Sequence, residues 1–299
     1  MVILKKTGIA ETVEDIIVRW FSNIMITILA IICLYPYLNI IAKSFSSSDM
    51  VNRGMVNGIL PKEFTLESYK LVLNSNRFVN AFFVSVYVTL FGTLTNTVLT
   101  VFMAFVVSRK NLPGSRIIMF LYIFSMLFSG GLIPTYLVVV GAGLRNSLWA
   151  LIIPGLVSPF NLILMRTYFN TIPPSLEESA LIDGANHFTV LFRIIIPLAL
   201  PSIATITLFC AVGYWNTYFN AMIYLDSRNL ATLQIYLREL MMNMRDAERS
   251  GFIDTLMQEI SNDSLRGAAV FASTLPIILV YPFLQKYFVK GMTLGAVKE

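Results

Sequence analysis

Charged residues are scarce in this sequence of 299 residues. Asp, Glu, Lys and Arg together make up 13%, whereas soluble domains contain about 25%. Hydrophobic residues make up 56%, and the mean hydropathy is +0.72. This balance excludes an ordinary soluble enzyme of the same length. The chain has only 2 cysteines, 16 glycines and 12 prolines, which excludes a disulfide scaffold and a collagen-like or disordered chain.

The sequence also lacks the signatures of several chemical functions. Its one histidine, His187, excludes an H-E-x-x-H metal site. No glycine is followed by lysine, so there is no G-x-x-x-x-G-K phosphate loop and the chain is not its own P-loop ATPase. The net charge of +5 is not concentrated in a basic patch, so nucleic acid is not an expected partner.

Six long blocks free of charged residues account for the apolar excess, and they are 19 to 32 residues long. A helix of about 20 residues crosses the roughly 30 Å hydrocarbon core of a bilayer. The blocks therefore predict an all-α, polytopic membrane protein with one domain, 1–299. The six predicted spans are about 20–42, 80–107, 117–140, 146–165, 198–224 and 267–286.

The middles of these blocks contain no Asp, Glu, Lys, Arg or His. Ion-coupled carriers usually keep such residues at the membrane midplane. An ion-coupled secondary carrier built only on carbonyl and hydroxyl groups nevertheless stays open as an alternative. An intramembrane enzyme is disfavoured, because a catalytic carboxylate pair is missing as well. The first block follows a head of 19 residues with six charges, so we expect a retained helix and not a signal peptide.

The distribution of basic residues leaves the orientation undecided, because each side of the membrane would receive 11 of the 22. The compact turn Ser108–Arg116 has three basic residues and no acidic one, which favours a cytoplasmic position for it. Both termini and the loop 166–197 would then also be cytoplasmic. Within the outer loops, 64–73 and 232–244 are predicted helices. Apolar residues at helical spacing over 9–20 fit either a short surface helix or an extension of the first span.

The loop 166–197 has a pattern of helix starts and stops. Pro173-Pro174 ends the preceding helix, and Ser175 with Glu178 forms a predicted capping box for a short helix. Gly184 can take a positive φ and turn the chain. A second short helix, 186–196, is predicted to lead into the fifth span. This bent pair of helices has no packing role evident from the spans, which indicates a docking element.

The loop resembles the EAA loop of ABC importer permeases, whose pattern is E-A-A, three residues, G, nine residues, I-x-L-P. Serine replaces the first alanine, and isoleucine replaces the leucine. The matching residues are Glu178, Ser179, Ala180, Gly184, Ile194, Ile196 and Pro197. The similarity covers about 220 residues from Lys62 onward, includes Thr232-Leu233-Gln234, and is strongest with the carbohydrate-uptake branch of the family.

The resemblance implies that the short helix sits in a cleft of a cytoplasmic ATPase subunit and that Glu178 pairs with a basic residue there. The residues implied to contact the ATPase are Glu178, Ser179, Ala180, Leu181, Asp183, Gly184 and Ala185. ATP would bind the partner subunit, and this chain would bind no cofactor or metal. The implied partners are two ATPase subunits, a second homologous permease chain, an extracytoplasmic binding protein and a sugar or oligosaccharide. The implied location is the bacterial plasma membrane.

Each candidate residue also has a structural interpretation. A capping-box role alone would explain Glu178, whereas Glu177 lies on a different helix face and is the expected insensitive neighbour. Tyr214, Trp215 and Asn216 are candidates for the substrate path, but Trp215 also suits an aromatic belt at the outer interface. His187 fits a surface histidine as well as a pH sensor. An ABC permease for a non-carbohydrate solute is the alternative within the same family.

Overall fold

The computed structural model describes residues 13–109, 112–250 and 262–296, and this part of the chain is helical with no β-strand. The chain forms two compact units. One comprises Met1–Val72 with Ala247–Phe271, and the other comprises Leu73–Asp246 with Ala272–Glu299. The prediction of an all-α fold is confirmed for the described residues.

The first unit contains α1 (Val13–Ser44), α2 (Ser48–Asn52), most of α3 (Glu67–Asn74) and the first turns of α14 (Asn262–Ala296). Most large apolar side chains of α1 are exposed, as a lipid-facing helix requires. The described part of α1 runs without interruption into the first predicted span. The first residues of the predicted surface helix 9–20 lie outside the described residues.

Small residues and aromatic rings hold the first unit together. A Cβ atom at Gly267 would lie 2.7 Å from the Ile40 carbonyl oxygen, so glycine permits close contact between α14 and α1. The hydroxyl groups of Ser44 and Tyr69 are 2.7 Å apart. Burial raises the pKa of Tyr69, and its hydrogen bond with Ser44 opposes that rise.

The second unit is organised around α4 (Asn76–Ser108), which packs against α8 (Pro159–Phe169) and α11 (Ile196–Trp215). Its core includes Leu162 and Ile206, both fully buried. The remaining helices of this unit are α5 (Ser115–Leu127), α6 (Leu132–Gly141), α7 (Trp149–Ile152), α9 (Pro174–Ile182), α10 (His187–Val190), α12 (Phe219–Tyr224), most of α13 (Leu233–Ser250) and the later part of α14.

Among the described residues, four helices are long and apolar enough to cross a membrane, or five if one bent pair is counted as a span. The predicted span 117–140 is divided into α5 and α6, with Gly131 between them at φ +88°. A glycine in this conformation interrupts a helix, and neither half reaches the length of a full span. The chain is thus a multi-pass protein, and the count of six stays a prediction.

The predicted span 146–165 is a bent pair of helices. Trp149–Gly155 and Pro159–Phe169 meet at 47°, because Pro159 cannot donate the backbone hydrogen bond that would continue the helix. The predicted span 198–224 also differs, since a continuous helical run, His187–Trp215, begins earlier, and α12 follows as a separate helix. The predicted helices 64–73 and 232–244 are confirmed as α3 and α13, and their position outside stays a prediction.

Contacts group the loops of the second unit at two ends. At the predicted outer end, Arg145 Nε lies 3.0 Å from Asp226 Oδ2, and Asn80 donates to the Asn229 carbonyl over 2.6 Å. At the other end, Arg166 Nε donates to the Val107 carbonyl over 3.1 Å. Loops predicted to share a side of the membrane therefore lie together. The cytoplasmic position of both termini stays a prediction.

Candidate functional site

The short helix α9 begins earlier than the sequence predicts. Pro173 is its N-cap with an extended ψ of 126°, Pro174 is its first residue, and no side chain caps it. Proline suits this position because its fixed φ is helical and its missing N–H would have no partner there. The predicted capping box of Ser175 and Glu178 is therefore wrong. Glu178 is the fifth residue of the helix and has no capping role.

The predicted turn at Gly184 is confirmed, with φ +83°. The Gly184 N–H donates to the Leu181 carbonyl over 3.1 Å, and the Ala185 N–H donates to the Ala180 carbonyl over 2.9 Å. These two bonds form a Schellman motif, which satisfies the last carbonyls of a helix and needs a left-handed residue. The motif fixes where α9 ends and directs the chain into the next helical segment.

Two adjacent glutamates of α9 have opposite surroundings. Glu177 forms an ion pair with Arg109, which follows α4, and its side chain is 15% exposed. Its other oxygen lies 3.9 Å from His187 Nδ1. Glu178 is exposed and has no ion pair or hydrogen bond with the described residues. The sequence gives no sign of this partner within the chain, so the expectation that Glu177 is the insensitive neighbour loses its structural basis.

Other predicted contact residues divide in the same way. Ala180 and Ala185 are half-buried and pack against the core of the second unit. Exposed positions are Ser179, Leu181, Asp183 and Gly184. Ile182, which the motif did not single out, is 86% exposed.

The helix after the turn is continuous with the following span. Asn186 caps α10 by accepting a hydrogen bond from the Thr189 N–H at 2.8 Å. A π-helical turn, Leu191–Ile195, joins α10 to α11. Pro197 lacks the N–H that would bond to the Arg193 carbonyl, and the wider turn lets the helix continue past it. The predicted segment 186–196 is therefore helical from His187 onward, but it continues into the fifth span and is not a short helix of its own.

A cavity of about 390 Å³ lies between α4, α8 and α11 and beside the bend of α7 and α8. Its lining combines amides, hydroxyls, aromatic rings and small apolar groups, and none of these described residues is charged. The lining residues are Asn96, Thr135, Leu151, Pro154, Gly155, Asn161, Cys210, Gly213, Tyr214, Thr217, Asn220 and Tyr224. Amides and hydroxyls can both donate and accept hydrogen bonds, as the hydroxyls of a sugar do.

Two of these side chains complete the broken helix. The Gly155 carbonyl receives no helical hydrogen bond, because Pro159, four residues later, has no backbone N–H. Asn96 Nδ2 donates to this carbonyl instead, over 2.7 Å. The Tyr214 hydroxyl donates to the Ile152 carbonyl over 3.4 Å. Inside a membrane, backbone groups freed by a break must find such partners. Asn96 and Tyr214 therefore stabilise the bend that forms one wall of the cavity.

Of the residues predicted for the substrate path, only Tyr214 lines the cavity. Trp215 is 6% exposed and packs edge-on against Phe82, with ring centroids 6.1 Å apart. Asn216 is exposed, and its Nδ2 donates to the Val212 carbonyl of its own helix over 3.0 Å. Consecutive helical residues point about 100° apart, so the three residues cannot share one wall.

Sequence reasoning missed Asn96, Asn161 and Asn220. A signal for all three was present, because each is an amide within a charge-free block. Polar side chains in a span usually face protein or a cavity. Asn161 Nδ2 has Cys210 Sγ as its acceptor at 3.4 Å, and sulfur is a weak acceptor. No cluster of possible metal ligands occurs among the described residues.

Residues 81–294 match the family described as "Binding-protein-dependent transport system inner membrane component". The polygalacturonan/rhamnogalacturonan transport system permease protein YtcP of Bacillus subtilis is 41% identical over 276 residues, 90% of this chain and 94% of that protein. Protein LplC of the same organism is 42% identical over 269 residues, 89% of this chain and 90% of LplC.

Among solved structures, one chain of a bacterial ABC transporter "involved in the import of the acidic polysaccharide alginate" is similar throughout. Its TM-score is 0.85 with 34% identity, and the match covers 94% of this chain and all of that chain.

Proposed function

We propose an oligosaccharide as the cargo of this chain, which belongs to the family of binding-protein-dependent transport system inner membrane components and is a permease subunit, not an enzyme. The proposal rests on relatives over nearly the whole length, one named for polygalacturonan and rhamnogalacturonan and one solved in an alginate importer. ATP hydrolysis belongs to separate subunits, in keeping with the missing phosphate loop.

The short helix α9 is the proposed contact with the ATPase. The observation that carries this role is the exposed face formed by Glu178, Leu181 and Ile182 on a helix anchored at both ends. A charged group beside apolar side chains suits a cleft with a basic residue and an apolar floor. Ser179, Asp183 and Gly184 would border this contact, whereas Ala180 and Ala185 would support it from beneath.

The wider assembly is proposed in the form that the sequence predicts. This chain would pair with a second, homologous permease, and two ATPase subunits would bind their cytoplasmic loops. An extracytoplasmic binding protein would deliver the cargo to the outer loops. Six spans and cytoplasmic termini fit this arrangement, with the divided segments α5–α6 and α7–α8 each counted as one span.

The cavity in the second unit is the proposed part of the path that this chain contributes. Asn161 and Asn220 offer amide groups, and Tyr214 and Tyr224 offer rings that can lie against sugar faces. The described lining has no charge, so it suits hydroxyl groups. A path of this kind would release its cargo readily, because it holds no ionic contact with it.

Reconstitution of the complete complex in proteoliposomes tests the proposed function. We expect ATP-dependent uptake of at least one labelled oligosaccharide among trigalacturonate, galactotriose and arabinotriose, in the presence of the binding protein. Uptake driven by a sodium or proton gradient without ATP would instead support a secondary carrier. ATP-dependent uptake of an amino acid or peptide, without uptake of any of these sugars, would contradict the proposed oligosaccharide cargo. The assignment as an ABC permease would still hold.

A further inference from the structure

The ion pair between Glu177 and Arg109 joins two segments that are distant in sequence. Glu177 is on α9, and Arg109 directly follows α4. Arg109 is also half-buried, with its guanidinium carbon 4.0 Å from the centre of the Phe105 ring. Burial lowers the pKa of Arg109, but arginine titrates so far above neutrality that the group stays charged.

Other groups around the pair restrict its movement. Arg109 Nε is buried and has no hydrogen-bond partner among the described residues, so the guanidinium depends on Glu177 for its ionic contact. The adjacent backbone is fixed by Arg166, which bonds to the Val107 carbonyl over 3.1 Å. A partly buried ion pair with these restraints is stiffer than an exposed pair of flexible side chains.

The middle of α4 reaches the cavity. Asn96 lies 13 residues before Arg109, which is about 20 Å along a helix. Asn96 Oδ1 accepts a hydrogen bond from Thr100 at 3.2 Å, and its amide nitrogen bonds to the Gly155 carbonyl at the bend. A displacement of the cytoplasmic end of α4 would therefore also displace the group that holds the broken helix.

We propose that the Glu177–Arg109 ion pair is the link through which movement of α9 is transmitted to α4 and to the cavity. This inference rests on the proposed role of α9 as the ATPase contact. Glu178 and Ile182 face the partner, and Glu177, on the inner side of the same helix, holds the permease. Glu177 and Arg109 are thus positioning residues, since neither touches the cargo.

Charge reversal of the pair tests the link. Glu177→Gln and Arg109→Gln each remove one charge, and Glu177→Arg with Arg109→Glu restores opposite charges in reversed order. For the reconstituted complex, we measure uptake of the oligosaccharide found for the wild type, ATP hydrolysis, and their ratio. We expect each single variant to lower the uptake per ATP at least fivefold, and the reversed pair to recover at least half of it. Arg53→Gln, which removes an exposed ion pair with Asp49 on α2, is the matched control and should leave the ratio unchanged.

The outcomes separate this inference from the function on which it rests. If the wild-type complex takes up no oligosaccharide with ATP, the proposed function has failed. If the wild type is active and the single variants keep its ratio, the link is wrong. If the single variants fail to assemble, the test uses two other variants: Arg109→Lys, which keeps the charge, and the reversed pair. Recovered assembly with an unrecovered ratio would reduce the pair to a structural role and overturn the proposal.

Discussion

The ring of Tyr214 on α11 lies against the backbone of Gly92 on α4: a Cβ atom at Gly92 would be 2.8 Å from three carbons of that ring. Only glycine permits this approach, because any larger residue would displace the ring. The Tyr214 hydroxyl also contacts the Ile152 carbonyl at the bend of the broken helix. Gly92 thus determines the position of a side chain that lines the cavity.

Gly92→Ala should therefore disturb both packing and transport. The added methyl group must push Tyr214 away, and overpacking of this kind costs about 1–3 kcal/mol. We expect a lower thermal unfolding temperature of the purified complex and slower uptake. Gly141→Ala is the matched control, because a Cβ atom there meets nothing within 4 Å. Equal unfolding temperatures for the two variants would contradict the close packing of α4 and α11.

Asn220 and Asn216 provide a test of the cavity as the cargo path. Asn220 lines the cavity, whereas Asn216 bonds to its own helix and does not. Asn220→Ala should raise the half-saturation concentration for uptake about fivefold or more, since one lost hydrogen bond is worth about 1 kcal/mol. Asn216→Ala should leave it near the wild-type value. The opposite ranking in concentration-dependent uptake would move the path to the Asn216 side of the helix.

Gly184 should resist replacement for a reason that involves its backbone alone. Nothing lies within 4 Å of a Cβ atom there, yet φ is +83°. Valine at this angle is strained by at least about 1–2 kcal/mol, whereas asparagine tolerates it. We expect Gly184→Val to reach the membrane but to lose ATP-dependent uptake, and Gly184→Asn to retain most of it. Normal uptake by the valine variant would show that the Schellman turn is dispensable.

Thiol labelling in intact cells tests the predicted topology. Single cysteines at Asn52 and Asn229, in a chain with Cys33 and Cys210 replaced, should react with an impermeant reagent because both positions are exposed and predicted to be outside. A cysteine at Ile182 should not react in intact cells, because this position is predicted to be inside. Asn111 is a second predicted inner position and lies outside the described residues. Labelling of Ile182 from outside would reverse the orientation and remove the docking argument.

The sequence predicts much of this site because its signals are local. The length of charge-free blocks predicts membrane helices, and the special φ of Gly184 is a property of one residue in a short motif. The start of α9 was misassigned because two opposing signals meet there: serine favours a cap, and proline favours the first helical position. The helix begins at Pro174, and Glu178 therefore has no capping role.

The cavity and the inner ion pair depend on contacts between distant parts of the chain. No spacing rule connects Asn96 with the Gly155 carbonyl or Arg109 with Glu177, since each pair meets only when the helices pack. The helix break at Gly131 was also missed, because a window of apolar residues does not distinguish a straight span from a bent one. Polar residues within the charge-free blocks were the available clue.

Contact of Glu178 with the ATPase subunit is central to the proposed role of α9, and hydrolysis of ATP by the reconstituted complex tests this contact most directly. Glu178→Gln removes the exposed charge of α9 without disturbing an internal partner among the described residues. Glu67→Gln, at an exposed position in the first turn of α3, is the matched control. With binding protein and the transported oligosaccharide, we expect Glu178→Gln to lose at least nine-tenths of the stimulated hydrolysis and of the uptake. Loss of a charged contact of this kind can cost a few kcal/mol. Wild-type hydrolysis and uptake in Glu178→Gln would contradict the account.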